Sequence, residues 1–590
     1  MFLTDIVRKA IQEAISHQYQ QEVPEQSVLL NETKPEFEGD FTLVTFGLAK
    51  LLGGKPDEIA QRIGEQLLAD GKSITHFNVI KGFLNLKLDT AYFHQFLDRY
   101  SCDTNYPSFP DQHRKIMVEY SSPNTNKPLH FGHLRNNFLG SSVASILKAT
   151  GHDVIKANLI NDRGIHICKS MIAWMHFGNG ATPQSTGIKG DHLVGDYYVK
   201  FNEVFKSQVA EMVQSGMDVA EAEKKAPILL EAQELLRLWE AGDAETMKLW
   251  KTMNQWVYEG FQVTYERLGL SFDKWYYESN TYLLGKQIIE KGLASGVLFR
   301  KEDGSVWIDL TDEGLDQKLL LRSDGTAVYI TQDIGTASLK YSEFGMDASV
   351  YVIGDEQNYH MQILKRIMQK LHEPGADGIY HLSYGMVELP SGRMKSREGT
   401  VVDADDMIEE MATMARINTE TLGKVEGFSD EELKVLYDTL GLGALKFYLL
   451  RVDPRKKMIF NPQESIDFHG FTGPFIQYTH ARICSILRKA GTWEPHTTKT
   501  ELTDEERTLV TTLSQYPAVL TQAATEYNPS LLCNYIFQLA RQFNTFLSDH
   551  PVLKAESETI KSHRLQISSL CKQVLASGLT LLGIHAPERM

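Results

Sequence analysis

Apolar positions along this chain change rhythm several times, and each change marks an element. Residues 6–17 repeat at helical spacing, Phe41-Thr42-Leu43-Val44 is a short strand-like run, residues 56–68 suit a helix opened by proline, and residues 82–88 alternate as a half-buried strand. These make residues 1–105 a small mixed α/β domain without a catalytic signature. The polar, proline-bearing stretch 101–114 reads as a linker. From Lys115 the rhythm becomes strand, turn, helix, strand. Ile116-Met117-Val118 predicts a buried strand, Ser121-Ser122-Pro123-Asn124 a turn, and residues 132–147 a helix turning Leu134, Phe138, Val143 and Leu147 to a sheet. Residues 154–159 predict the next strand and residues 167–177 a further helix. Units of this kind build a parallel sheet, with ligands beyond the carboxyl ends of its strands.

Residues 199–269 are helical in period and heavily charged, and hairpin-turn chemistry follows at Asp303-Gly304 and Asp324-Gly325. This block reads as an insertion between two halves of the sheet. Strands are expected again at Ala327-Val328-Tyr329-Ile330 and over residues 349–354, followed by a basic, glycine-bearing loop at 392–403. Beyond about residue 466 nearly everything repeats at helical spacing, as in a bundle. The expected division of this multidomain α/β chain is therefore 1–105, 106–198 and 321–465 for the two sheet halves, 199–320 for the mainly helical insertion, and 466–590 for an all-helical domain.

Composition narrows the classes. A chain of 590 residues is too long for one core. No apolar run is long enough to span a bilayer, and the amino terminus reads as an amphipathic helix rather than a signal peptide, so a cytoplasmic protein off the membrane is expected. The 5 cysteines form no CxxC pair, which argues against a disulfide scaffold or a cysteine-rich zinc site. A net charge of −16 speaks against a duplex-DNA binder, although an acidic whole can carry a basic groove. Clusters that could line one are Arg451, Arg455, Lys456 and Lys457, then Arg482, Arg488 and Lys489, then Lys561, Arg564 and Lys572.

The chemistry concentrates in Lys127-Pro128-Leu129-His130-Phe131-Gly132-His133. Two histidines three apart can present ring nitrogens on one side of a helix start. Free backbone N–H groups there favour an anion, and Gly132 has no Cβ to hold a nucleotide away. With 19 His and 43 Gly, an H-x-G-H tetrapeptide arises by chance about 0.04 times in this length, so its context adds most of the meaning. A second element, Arg393-Met394-Lys395-Ser396-Arg397, sets three cations between Gly392 and Gly399 and reads as a clamp for a polyphosphate.

Together these residues resemble the class I arginyl-tRNA synthetases. Glu119-Tyr120-Ser121-Ser122-Pro123-Asn124 followed by Lys127 to Arg135 is similar to that family's form of the HIGH signature. Tyr329-Ile330-Thr331-Gln332-Asp333 and Tyr351-Val352-Ile353-Gly354-Asp355-Glu356-Gln357 resemble two further active-site blocks. Phe475-Ile476-Gln477-Tyr478-Thr479-His480-Ala481-Arg482 resembles the first helix of the anticodon domain, and Ala586-Pro587-Glu588-Arg589-Met590 the usual terminus. The resemblance implies a Rossmann-like catalytic domain with an insertion, a mixed α/β amino-terminal domain for the outer corner of tRNA, and an all-α anticodon-binding domain. It implies activation of L-arginine with ATP and transfer of the arginyl group to tRNA(Arg), with the tRNA needed even for activation. It places Lys127, His130, His133, Arg393, Lys395 and Arg397 in catalysis. ATP would meet His130, Gly132, His133, Gly354, Met394 and Ser396, and arginine would meet Glu119, Asn124, Tyr329, Asp333 and Gln357. Mg2+ is expected on the ATP phosphates without a protein metal cage, and a monomer is expected. Tyr478, His480, Arg482 and Arg541 are expected toward the anticodon arm.

Two departures qualify the likeness. The usual Lys-Met-Ser-Lys-Ser loop is here Arg393-Met394-Lys395-Ser396-Arg397, so Ser396 stands where the second lysine belongs, and Lys127 is expected to compensate. The block that usually reads Gly-Asp-Trp-Gly is Asn161-Asp162-Arg163-Gly164, which leaves Arg163 without an assigned task. A small-molecule nucleotidyltransferase shares the H-x-G-H logic but needs no large helical carboxyl-terminal domain. A non-catalytic tRNA-binding relative would be expected to lose His130, His133, Glu119, Tyr329 or Asp333, and all are present.

Overall fold

The structure is a computed structural model that describes residues 2–34, 36–390, 402–423, 427–496 and 498–590. The amino-terminal unit is an antiparallel sheet of β1 (Leu30–Glu32), β2 (Phe41–Val44), β3 (Ile74–Ile80) and β4 (Phe83–Leu88) in the order β1-β2-β4-β3. Helices Leu3–Tyr19 and Pro56–Asp70 pack together, the second against β3 and β4, and Leu43, Leu84 and Leu86 are buried. Residues 101–114 carry no helix or strand, as the linker pattern predicts, yet they are pinned. Buried Tyr106 donates its hydroxyl to the Leu513 carbonyl at 2.7 Å.

The main sheet has five parallel strands in the order β12-β11-β5-β6-β7. Their ranges are β5 (Lys115–Glu119), β6 (Asp153–Ile160), β7 (Lys274–Tyr277), β11 (Ala348–Gly354) and β12 (Ile379–Tyr384). Each is rich in β-branched or aromatic residues, and β5, buried along most of its length, is the central strand. The strand order reverses between β5 and β11. A crevice therefore opens at their carboxyl ends, where Glu119 and Gly354 stand. The helix Phe131–Ala149 crosses this reversal: Asn136 Nδ2 donates to the Val352 carbonyl at 2.7 Å, and Asn136 Oδ1 accepts from Ser121 N at 2.6 Å.

Two expectations need correction. The segment 199–320 is not wholly an insertion. Its helices Pro227–Ala241 and Ala244–Leu268 continue the helix Gly190–Gln214 as a long crossover, which ends in β7 of the main sheet. What projects from the sheet is the small antiparallel set β8 (Leu298–Arg300), β9 (Val306–Ile308) and β10 (Lys318–Leu321). The Asp303-Gly304 turn joins β8 to β9, whereas Asp324-Gly325 leads only to a single bridge between Leu321 and Ala327. Nor is 327–330 a strand. Tyr329 opens the helix Tyr329–Phe344, because Ile330, Ile334 and Ala337 bury at helical spacing beside Leu320 and Ile367. That burial outweighs the local preference of Val, Tyr and Ile for strands.

Helices Gly473–Ala490, Asp504–Ser514, Tyr516–Thr525, Pro529–Asp549 and Glu558–Leu581 form the carboxyl-terminal bundle. Among the described residues no helix is long and apolar enough to cross a membrane.

Candidate active site

β5 ends at Glu119, and the chain then turns through two residues in the left-handed region, Ser121 at φ 76° and Ser122 at φ 46°. Serine rarely adopts this conformation, and three bonds hold it here. Ser121 N donates to Asn136, Ser122 N donates to Asn158 Oδ1 at 3.0 Å, and the Ser121 hydroxyl lies 2.6 Å from the Tyr265 hydroxyl. The next residue pair is fixed across the sheet end: Thr125 N donates to the Asn161 carbonyl at 3.1 Å, and Asn161 N to the Pro123 carbonyl at 2.9 Å. Asn124 is left exposed at this edge.

His130 caps the helix Phe131–Ala149, but the helix mouth is not an open anion site. Gly132 N donates to His130 Nδ1 at 3.1 Å, His133 N to the His130 carbonyl at 2.7 Å, and Phe131 N to the Val402 carbonyl at 2.9 Å. The expected role of free amides therefore fails, since the first three are already satisfied. Gly132 matters for a different reason: a Cβ there would stand 3.0 Å from the His130 ring folded back on the amide. The imidazoles themselves carry the chemistry. His130 N donates to His133 Nδ1 at 3.0 Å, and the ring centroids lie 3.9 Å apart. Burial, followed by the Lys127 charge, pushes His130 down to about 3. Burial, His130 and Lys127 hold His133 well below the ordinary value. Both rings are thus neutral at pH 7, both Nδ1 atoms accept, and each Nε2 carries a proton to donate. Lys127 is half-buried beside them, and burial lowers its pKa as well.

On the other side of the crevice the groups are acidic. Buried Glu119 pairs through Oε2 with the Nζ of Lys340, which is equally buried and lies on the helix Tyr329–Phe344. Lys340 Nζ also sits 4.8 Å from the Tyr351 ring centroid. Burial alone would lower the lysine pKa, but Glu119 and Tyr351 outweigh it and the net direction is up. Asp333, on the same helix, accepts from His360 Nε2 at 2.6 Å. Tyr329 is 77% exposed one turn before Asp333, Gln357 is exposed, and a Cβ at Gly354 would meet nothing within 4 Å. Glu278, just past β7, has its carboxyl raised to about 6 by burial, with Arg163 opposing and the charges of Asp162 and Asp333 adding to the rise.

The structure thus brings Lys127, His130 and His133 together after β5, and links Glu119 to the helix that carries Tyr329 and Asp333. Arg393, Met394, Lys395, Ser396 and Arg397 lie outside the described residues. Lys340, His360 and Glu278 escape sequence reasoning because their partners are remote in the chain. For Lys340 one signal exists: it lies seven residues after Asp333, on the same helical face. Arg163 takes a packing role, 4.0 Å from the Tyr282 ring centroid and 3.1 Å from Glu240. His480 does not face an RNA. It is buried and its Nδ1 lies 2.9 Å from the Pro587 carbonyl. Arg564 likewise leaves the surface cluster to pair with Glu506 at 2.9 Å.

Comparison with known proteins gives a consistent result over the whole chain. Residues 101–461 match the family profile described as tRNA synthetases class I (R), catalytic domain; residues 476–590 match the DALR anticodon binding domain; and residues 2–88 match the arginyl tRNA synthetase N terminal domain. The arginine–tRNA ligase of Bacteroides thetaiotaomicron is 52% identical, with 97% of each chain covered. That of Flavobacterium psychrophilum is 50% identical over 100% of both. Among solved structures, Thermus thermophilus arginyl-tRNA synthetase superposes with a TM-score of 0.80 at 26% identity and covers 100% of both chains. The chain belongs to the class I arginyl-tRNA synthetases.

Proposed function

We propose that the protein is an arginine–tRNA ligase whose two chemical halves meet at the reversal point of the sheet. The arginine carboxylate attacks the α-phosphorus of ATP, the bond to the bridging oxygen breaks, and pyrophosphate leaves arginyl-adenylate. A hydroxyl of the tRNA terminal adenosine then attacks the arginyl carbonyl, and AMP departs. The first step needs orientation and charge stabilisation rather than proton transfer, because the carboxylate is already ionised.

The observation that carries the reading is the pairing of neutral imidazole donors after β5 with a carboxylate set across the crevice. His130 and His133 donate from Nε2 to phosphate oxygens, while half-buried Lys127 supplies the nearby positive charge. Ser396 stands where a loop lysine is usual, so this charge falls to Lys127, with Arg393, Lys395 and Arg397 on the β and γ groups. Asp333 has one oxygen taken by His360 and one left for a guanidinium. Glu119 is held through Oε2 by Lys340, and its Oε1 accepts no hydrogen bond among the described residues. Glu278 is the third carboxyl of this set, and Tyr329, Asn124 and Gln357 border it. Carboxylates select a planar five-donor guanidinium over an ammonium.

Magnesium would come with the nucleotide rather than from a protein cage and would neutralise charge on its phosphates. The metal-spaced trio among the described residues, His192, Asp403 and Asp405, is not a fit for it, because the Lys189 ammonium already sits on Asp405. In the carboxyl-terminal domain exposed Arg482 and Arg541 offer charge to the anticodon arm of tRNA(Arg). The test is arginine-dependent ATP–pyrophosphate exchange with and without tRNA, run against lysine and glutamine. Exchange confined to arginine is expected, and exchange with either control, or none at all, overturns the reading.

A further inference from the structure

The helix Gly190–Gln214 carries a charged cluster that the reaction does not use. It abuts the segment that leads into His130 and the segment 402–405. At one point a Cβ on Gly195 would stand 2.8 Å from Pro128 Cδ and 3.6 Å from Lys127 Cα, so only glycine allows this approach. One turn earlier the helix start meets the segment 402–405. That segment runs antiparallel to 129–131: Phe131 N donates to the Val402 carbonyl at 2.9 Å, Ala404 N donates to the Leu129 carbonyl at 3.0 Å, and His130 faces Asp403 between them. Asp403 also caps the helix Ala404–Thr421, accepting from Asp405 N at 2.7 Å.

We propose that Lys189 and His192 are positioning residues for the phosphate-binding histidines: they clamp the Asp403–Asp405 cap, and through the 402–404 pairing they fix the backbone that mounts His130. The inference rests on the placement of His130 at the ATP phosphates. His192 Nε2 lies 3.5 Å from Asp403 Oδ2 and 3.2 Å from Asp405 Oδ2. Lys189 Nζ bonds Asp405 Oδ2, donates to Thr264 Oγ1 at 2.6 Å and lies 3.2 Å from buried Asp191. Thr264 completes the ring by donating to Asp405 Oδ1 at 3.0 Å. Surface ion pairs contribute little, but this one interlocks two cationic groups with carboxylates from two helices and a hydroxyl from a third.

His192 faces Asp405 and Asp403 from the helix Ala404–Thr421, Thr264 from the helix Ala244–Leu268, and Lys189, Asp191 and Asp196 on its own element. The bond to Asp405 raises its pKa, burial opposes, Asp403 and Asp191 add to the rise, and Lys189 opposes. Asp405 would be raised by burial, but His192, Lys189 and Thr264 outweigh that and hold it well below the usual carboxylate range. A raised imidazole is charged below its folded pKa, so the clamp holds below that value and weakens as pH rises through it.

The test has two readings on the full-length enzyme. In His192→Gln, kcat for arginine-dependent exchange should fall at least about tenfold near neutral pH while arginine KM changes less than about threefold. The amides of Phe131 and Ala404 should exchange hydrogen faster. In His192→Lys, which stays cationic up to about pH 10, kcat should recover and the loss of rate at high pH expected of the wild type should shift further up. If His192→Gln does not fold, the pH profile of His192→Lys decides alone. Unchanged amide exchange together with an unchanged kcat–pH profile overturns the inference. His130→Ala separates the two readings: undiminished exchange in that variant removes the phosphate role of His130, whereas the amide protection still reports the clamp.

Discussion

At the scale of single residues, the site works because neutral and charged donors are sorted by what surrounds them. His130 and His133 are half-buried and hydrogen-bonded at Nδ1, so they act as neutral donors and leave positive charge to Lys127. Lys127→Ala should therefore cut kcat for exchange about a hundredfold while arginine KM moves little; an unaltered arginylation rate would remove Lys127 from the mechanism. The acidic side predicts a pH effect of definite sign. Glu278 is raised to about 6, so in the free enzyme it is protonated below that value and attracts a guanidinium only above it. Arginine KM should rise about tenfold for each pH unit below the pKa, and Glu278→Gln should flatten that limb. A KM with no dependence on pH between about 5 and 7 takes Glu278 out of the pocket. The histidine motif was legible because all of its residues lie within one short stretch. Lys340 and His360 were not, because each acts on a carboxylate that only folding brings near, Glu119 and Asp333.

At the scale of elements, the site depends on how closely the helix Phe131–Ala149 lies on β5. A Cβ at Gly140 would stand 2.2 Å from Cγ of Tyr120, a fully buried ring that precedes the strained Ser121-Ser122 turn. Gly140→Ala should lower stability by about 1–3 kcal/mol, because a close-packed core has no room for the shift. It should also weaken arginine binding, since the displaced ring pulls on the turn that carries Asn124. Thermal unfolding and arginine KM measure the two effects, and a variant that is as stable and as tight as the wild type refutes the coupling. Period and turn chemistry made β5, β6, β11 and most helices readable from sequence. They failed where tertiary burial decided the outcome: Tyr329 begins a helix although its neighbours favour a strand, and four-residue β7 is hidden inside a helical stretch. Backbone bonds at the helix start were equally invisible, since Val402 closes the Phe131 amide from far along the chain.

At the scale of the whole molecule, the first domain docks on the last. Arg507 holds Asp40 through two bonds of 2.9 and 2.6 Å, Lys499 pairs with Asp98 at 2.8 Å, and Gln566 donates to the same carboxylate at 2.9 Å. The segment pattern could suggest both domains but not their contact, because complementary charges 400 residues apart leave no periodic trace. Within this interface the rings of His94 and His563 lie tilted at 45° with centroids 4.5 Å apart, and His94 Nδ1 and His563 Nε2 are buried without partners among the described residues. Burial lowers both, and pushes His563 down to about 4 with His94 adding to the effect. The sign follows: the folded form keeps these rings neutral, so their contribution is complete above the unfolded imidazole pKa of about 6.5 and is lost as pH falls toward 4. Tm should therefore drop steeply between about pH 6.5 and 4.5, and His563→Gln, which cannot take up the proton, should make that slope shallower. A slope that is the same in both proteins would place acid sensitivity elsewhere. A shallower slope in His563→Gln would assign that part of the acid sensitivity to the histidine pair between the amino-terminal and anticodon-binding domains.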